Sequence, residues 1–243
     1  MPMNQFGTSS FTGVGVDRAG FDAGLRAHML RVYNYMAGGI GVTGLVAWLS
    51  ANTPLANFVF APGVHLAFML SPLAFILALN FGVNRMKAGT IQALFWAFCA
   101  CMGASMAVIF MVYTESSIAR AFFVTASTFA GMSLWGYSTK RDLSGMGAFL
   151  MMGVMGIVIA SLLNVVMAMM GTPSPMLHWL TSVIGVVVFT ALTAWDTQRI
   201  KQTYAEGYGV EADTKLAVMS ALSLYLNFIN AFQFLLNLIG DRR

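Results

Sequence analysis

The 243-residue chain is 58% hydrophobic, carries charge on only 9% of its residues and has a mean hydropathy of +0.74. Soluble domains carry about 25% charged residues, so these charges cannot coat a water-soluble globule, and disorder is excluded because it needs low hydrophobicity. The net charge of +4 comes from Lys and Arg scattered in runs no longer than two, which argues against a nucleic-acid surface and for the loops of a polytopic, all-α membrane protein.

Residues 1–30 are polar and lack the apolar run of a secretory signal, so they read as a flexible cytoplasmic tail; Asp17 and Asp22 weigh against a transit peptide. Residues 31–243 then form the transmembrane domain. A spanning helix needs about 20 apolar residues. Charge-free stretches at 32–84, 88–114, 121–139, 143–195 and 216–240, cut by Asn52-Thr53-Pro54 and by the Gly171–Pro175 cluster, give seven transmembrane helices at 31–51, 62–83, 91–112, 118–138, 146–170, 176–201 and 214–240. Continuous apolar runs, rather than alternating ten-residue strands, disfavour a barrel.

The basic residues set the orientation. With the N-terminus inside, the cytoplasmic segments hold Arg18, Arg26, Arg31, Arg85, Lys87, Lys140, Arg141, Arg199, Lys201 and Lys215, leaving Arg120, Arg242 and Arg243 outside. That bias predicts a cytoplasmic N-terminus and an external C-terminus.

Gly39-Ile40-Gly41-Val42-Thr43-Gly44 matches GxGxxG, but it lies inside the first span rather than at a strand-to-helix turn, so it reads as close helix packing through small residues. The 19 Met residues, many of them in the fifth span, are apolar fillers and lipid contacts. Cys99 and Cys101 point to nearly opposite helix faces and cannot pair. His28, His65 and His178 stand alone, without the i+3 or i+4 partner of a zinc site. No serine elbow, Cys/His pair or HExxH occurs. Neither an enzyme nor a cofactor is expected.

The last two spans carry the polar residues. Ser220, Ser223, Asn227, Asn230 and Asn237 share one face of the seventh helix, and such a seam faces protein or water rather than lipid. It reads either as interhelical hydrogen bonding or as the wall of a polar path. On the sixth helix Ser182, Thr190, Thr193, Asp196 and Thr197 share a face. Asp196 is the one carboxylate that an apolar run carries toward the bilayer, a functional candidate by position. Its alternative is an interfacial acid paired with Arg199. Glu115, with Arg120 five residues on, reads as a loop acid or as an outer vestibule that attracts cations.

Three strings, Tyr137-Ser138-Thr139-Lys140-Arg141-Asp142-Leu143, Ala194-Trp195-Asp196-Thr197-Gln198-Arg199-Ile200 and Ala221-Leu222-Ser223-Leu224-Tyr225-Leu226-Asn227-Phe228-Ile229-Asn230, resemble the Bax inhibitor-one, or YccA-like, family (transmembrane Bax inhibitor motif) from about Arg26 onward. The resemblance implies a seven-helix bundle with the last helix surrounded by the other six, and a pH-sensitive calcium leak. It also implies a gate on the cytoplasmic side held by two proton-sharing aspartates, one on helix six and one on helix seven. Asp196 matches the first. Asn227 stands where the second would be, and Arg85 only approximately matches a latching basic residue at the end of helix two. Other bacterial relatives resemble modulators of a membrane-bound protease.

Two coupled carboxylates titrate as a pair. Asn227 cannot titrate, but it can donate a hydrogen bond to Asp196. The expectation is a bacterial inner-membrane channel passing cations, plausibly Ca2+, with Asp196 as gate and weak Ca2+ ligand, Asn227 as its partner, and Arg85 or Arg199 as counter-charge. One carboxylate among amides and hydroxyls binds Ca2+ weakly, which suits a leak. The rival reading is a non-conducting regulator of a membrane-bound protease or stress pathway. An aspartyl intramembrane protease would need a second intramembrane aspartate, which this sequence lacks.

Overall fold

A computed structural model of the chain describes residues 18–61, 63–204 and 209–243, with side chains from residue 22 onward. Among the described residues the chain forms nine helices: α1 (Arg18–Asn52), α2 (Leu55–Val59), α3 (Val64–Gly82), α4 (Ala88–Met106), α5 (Val108–Val112), α6 (Glu115–Ser138), α7 (Ser144–Met169), α8 (Pro175–Thr203) and α9 (Val210–Ile239). They contain no strand beyond an isolated bridge between Tyr113 and Arg242. The protein is therefore an all-α membrane protein: α3, α4 together with α5, α7, α8 and α9 are five segments long and apolar enough to cross a bilayer. The helices α1 and α6, richer in polar residues, fall outside that set.

Chain breaks follow the turn chemistry. Thr53 and Pro54 separate α1 from the short α2, and Gly63, at φ +85°, precedes α3. Pro62, where the sequence reading began the second span, lies outside the described residues. Thr114 caps α6 by accepting from the Ser117 N–H at 3.4 Å, and Ser174 caps α8 by accepting from Leu177 N–H at 3.3 Å, with Pro175 as the first helical residue.

One sequence expectation is corrected. Helix α1 begins at Arg18, so residues 18–30 are not part of a flexible tail; residues 1–17 lie outside the described residues. Leu25, Met29, Val32 and Met36 recur at three- and four-residue spacing and are all buried. A second expectation narrows. Of the GxGxxG glycines only Gly39 makes the close approach, where a Cβ would sit 2.9 Å from Cys99 Sγ; Gly41 and Gly44 face open space.

The last helix organises the bundle. α9 packs against α1, α4, α6 and α8, and half of its most apolar window is buried, against 6% for α3 and 11% for α7. Tyr225 of α9 lies fully buried between the rings of Phe95 and Phe98 on α4. Its hydroxyl shares a 2.7 Å hydrogen bond with Thr43 of α1. On the outside, Met151, Met152 and Met155 of α7 are exposed, as bilayer-facing side chains would be.

Candidate functional site

Asp196 lies on α8 and is 4% exposed. Its Oδ2 accepts two hydrogen bonds, both from α9 and both 2.7 Å long: one from Ser223 Oγ and one from Asn227 Nδ2. The two donors stand one turn apart, on one face of α9. Asn227 is buried as well.

Neighbouring contacts fix the approach of α8. Gly136 of α6 lies so close to α8 that a Cβ there would meet the Ala194 carbonyl oxygen at 2.3 Å. One turn back on α6, Ser133 shares a 3.0 Å hydrogen bond with Thr197, whose hydroxyl donates to the Thr193 carbonyl at 2.8 Å. Tyr33 of α1 touches the same Ser133 hydroxyl. On the α7 side, Gln198 accepts from Leu143 N–H at 2.8 Å and donates to the Arg141 carbonyl at 2.8 Å. These contacts leave Asp196 turned toward α9.

Among the described residues no cation pairs with Asp196. Arg199 is exposed and lies over the Trp195 ring, 5.3 Å from its centroid. Arg85 is exposed in the turn between α3 and α4 and makes no ion pair among the described residues. Both of the carboxyl's partners are neutral, so the pair can hold α8 to α9 without a fixed counter-charge.

The remaining polar residues fall into separate spaces. Thr190 and Thr193 line a cavity of about 30 Å³ between α6, α8 and α9, together with Thr125 and Thr128. Ser220 is buried one turn before Ser223. Asn230 donates to the Leu226 carbonyl at 2.8 Å and, with Gln233 and Asn237, borders a different cavity of about 480 Å³ next to α3, α4 and α5. Asn237 accepts from the Tyr113 hydroxyl at 2.9 Å.

Glu115 is exposed, 3.8 Å from the Arg243 guanidinium. The chain end folds over this corner. Thr114 N–H donates to the Asp241 carbonyl at 3.1 Å, Arg243 N–H donates to the Val112 carbonyl at 2.9 Å, and the Ser117 hydroxyl donates to Asp241 Oδ2 at 3.1 Å.

A second acid site was not foreseen from the sequence. His28 of α1, 2% exposed, hydrogen-bonds through Nδ1 to Asp213 Oδ1 of α9 at 2.7 Å. Arg31 donates to Asp213 Oδ2 at 2.5 Å, and Tyr204, after α8, packs its ring 5.3 Å from the imidazole. The i, i+3 spacing of His28 and Arg31 on one helix face is a local signal. Their acid lies 185 residues away from His28, beyond the reach of any spacing rule.

The family profile described as Inhibitor of apoptosis-promoting Bax1 matches residues 25–243. The chain is 44% identical over 224 residues to the uncharacterized protein RP147 of Rickettsia prowazekii, covering 92% of this chain and 93% of that one. It is 41% identical over 230 residues to the inner membrane protein YbhL of Escherichia coli, covering 91% and 94%. An uncharacterized protein of Caulobacter vibrioides is 41% identical over 254 residues, covering 99% and 100%.

Proposed function

The chain belongs to the Bax inhibitor-1 family, and from that premise we propose that it is a non-enzymatic, seven-span cation leak whose gate is the Asp196–Asn227 contact. The seven long helices each cross the bacterial inner membrane, the location that YbhL's name gives for that relative. The N-terminus is cytoplasmic, because ten of the thirteen Lys and Arg residues then face inward.

The observation that carries the reading is the buried carboxyl of Asp196 joined to α9 by Ser223 and Asn227, each at 2.7 Å. An ionisable group inside a span is costly and marks a pathway or relay by default. Separating α8 from α9 breaks two hydrogen bonds and exposes a carboxylate, two neutral oxygens and the threonines behind them. Such a set attracts a hard cation and releases it readily. Ca2+ is the cation we assign. Protonation of Asp196 removes its charge, so the leak depends on pH. With Asn227 opposite, one group titrates rather than a coupled pair.

Pure liposomes loaded with a Ca2+ indicator test the reading. The wild-type chain passes Ca2+ and Asp196→Ala does not. Asn227→Asp, which restores a second carboxyl at hydrogen-bond distance, steepens the dependence of flux on pH. Absence of wild-type flux across pH 5–8 overturns the proposal and leaves a non-conducting regulator of a membrane protease as the reading to pursue.

A further inference from the structure

A furrow runs along the seam between α1 and α6. The two helices both flank α9, meet at the Tyr33–Ser133 contact and otherwise stand apart. Two cavities open along the seam, of about 560 Å³ and about 370 Å³, and Ile40 borders both. Apolar side chains form the walls: Met36, Phe129 and Leu134 in one half, Phe122, Ile229 and Phe232 in the other. Ala37 and Ala130, both exposed, leave the first half wide.

The two mouths differ in charge. At the end where α1 begins, Arg26 borders the furrow, exposed, with neither a hydrogen bond nor an ion pair among the described residues. Tyr137 borders the same end. The Lys201 ammonium lies 4.8 Å from its ring centroid and donates to its carbonyl at 3.0 Å. At the opposite end Glu115 borders the furrow, beside Arg243 at 3.8 Å.

A long apolar trough with an exposed guanidinium, unpaired among the described residues, and a supporting ammonium at one mouth fits an amphiphile with one anionic head. A purely apolar ligand would make no use of the cations. A second copy of this chain, side by side in the same orientation, would set basic end against basic end, an arrangement that like charges disfavour. We propose that the α1–α6 furrow is a binding site for an anionic phospholipid. Its acyl chain lies in the trough past Ala37 and Ala130, and its phosphate sits at Arg26, with Lys201 behind. Arg suits this role because its planar fork grips two phosphate oxygens at once. Basic pockets between spanning helices bind acidic headgroups in this way.

Native mass spectrometry of the full-length protein, delipidated in neutral detergent, tests the site. The probes are phosphatidylglycerol and phosphatidylethanolamine with identical acyl chains. Phosphatidylglycerol is retained over phosphatidylethanolamine by at least about fivefold, the effect of one interfacial cation. Arg26→Gln lowers that preference by about fivefold, while Lys87→Gln, away from the furrow, leaves it unchanged. Ala130→Trp, which fills the trough, lowers retention of both lipids; Ala37→Trp does the same from the opposite wall should the first variant fail to fold. Equal retention of the two lipids by the wild type overturns the proposal. So does a preference that survives both Arg26→Gln and trough filling, and so does full displacement by millimolar inorganic phosphate, which would mark a free-anion site. Lipid retention requires no ion flux, so the result stands apart from whether the protein conducts.

Discussion

Two acids tie α9 to its neighbours, and they do so by opposite chemistry. Asp213 sits in the first turn of α9, where it meets His28 at 2.7 Å and Arg31 at 2.5 Å; its side chain is 21% exposed and that of Arg31 43%. Asp196 sits in the apolar body of α8 and meets Ser223 and Asn227, with no cation in contact among the described residues. Near water a charged partner is cheap to hold, because its own solvation is only partly lost. Deep in the bundle a cation would have to be stripped of water, and breaking such a pair later would cost several kcal/mol. A neutral amide and hydroxyl supply hydrogen bonds without that burden. The comparison teaches that α9 is tied to α1 by charged groups at a partly exposed site and to α8 by neutral donors in the buried core.

The comparison can be broken in four ways, each read as a loss of unfolding free energy in detergent. Gly136→Ala has the largest expected effect. Its Cβ would lie 2.3 Å from the Ala194 carbonyl oxygen, so α6 and α8 must separate, at about 3 kcal/mol. Recovery of wild-type stability would show that the seam does not fix the position of Asp196. Asp213→Ala comes next, at about 2 kcal/mol, because His28 loses the partner of its buried ring and Arg31 its acceptor. Denaturant titration checks this, and a loss below half that size would mean the ion pair is merely superficial. Ser223→Ala removes one of two donors to a carboxyl that keeps the other, at about 1 kcal/mol. Asp196→Asn has the smallest effect, about 0.5 kcal/mol, since the amide oxygen still accepts from both donors. Equal losses in Asp196→Asn and Asp213→Asn would erase the distinction between the two sites.

Much of the architecture was legible in the chain itself. Long runs without charge, interrupted at Pro54 and at the Gly171–Pro175 cluster, fall on the long helices, since apolar length and turn chemistry are local properties. The contact between Asp196 and Asn227 was also anticipated, because the resemblance to the Bax inhibitor-one family implies paired residues at these two positions. Their 2.7 Å bond is what the structure adds. Other readings changed. Helix α1 extends back to Arg18, since the polar residues there obscured the buried row of Leu25 and Met29. The polar residues of α9 were read as one face, yet Asn227 bonds to Asp196 of α8 while Asn230 and Asn237 border a cavity next to α3, α4 and α5. A face on a helix has no fixed neighbour until the helices are packed.

The sequence by itself determined that this protein is helical and membrane-embedded, and which acid is left in an apolar run. Those properties follow from composition and from residues close together along the chain. Only the tertiary structure decided that Asp213 closes on His28, that the chain end folds over Thr114 and Ser117, and that α1 and α6 stand apart to leave a furrow. Each of these joins residues more than 60 positions apart. Such pairings arise from how packed side chains set the distance between helices, and no local pattern of residues encodes that distance.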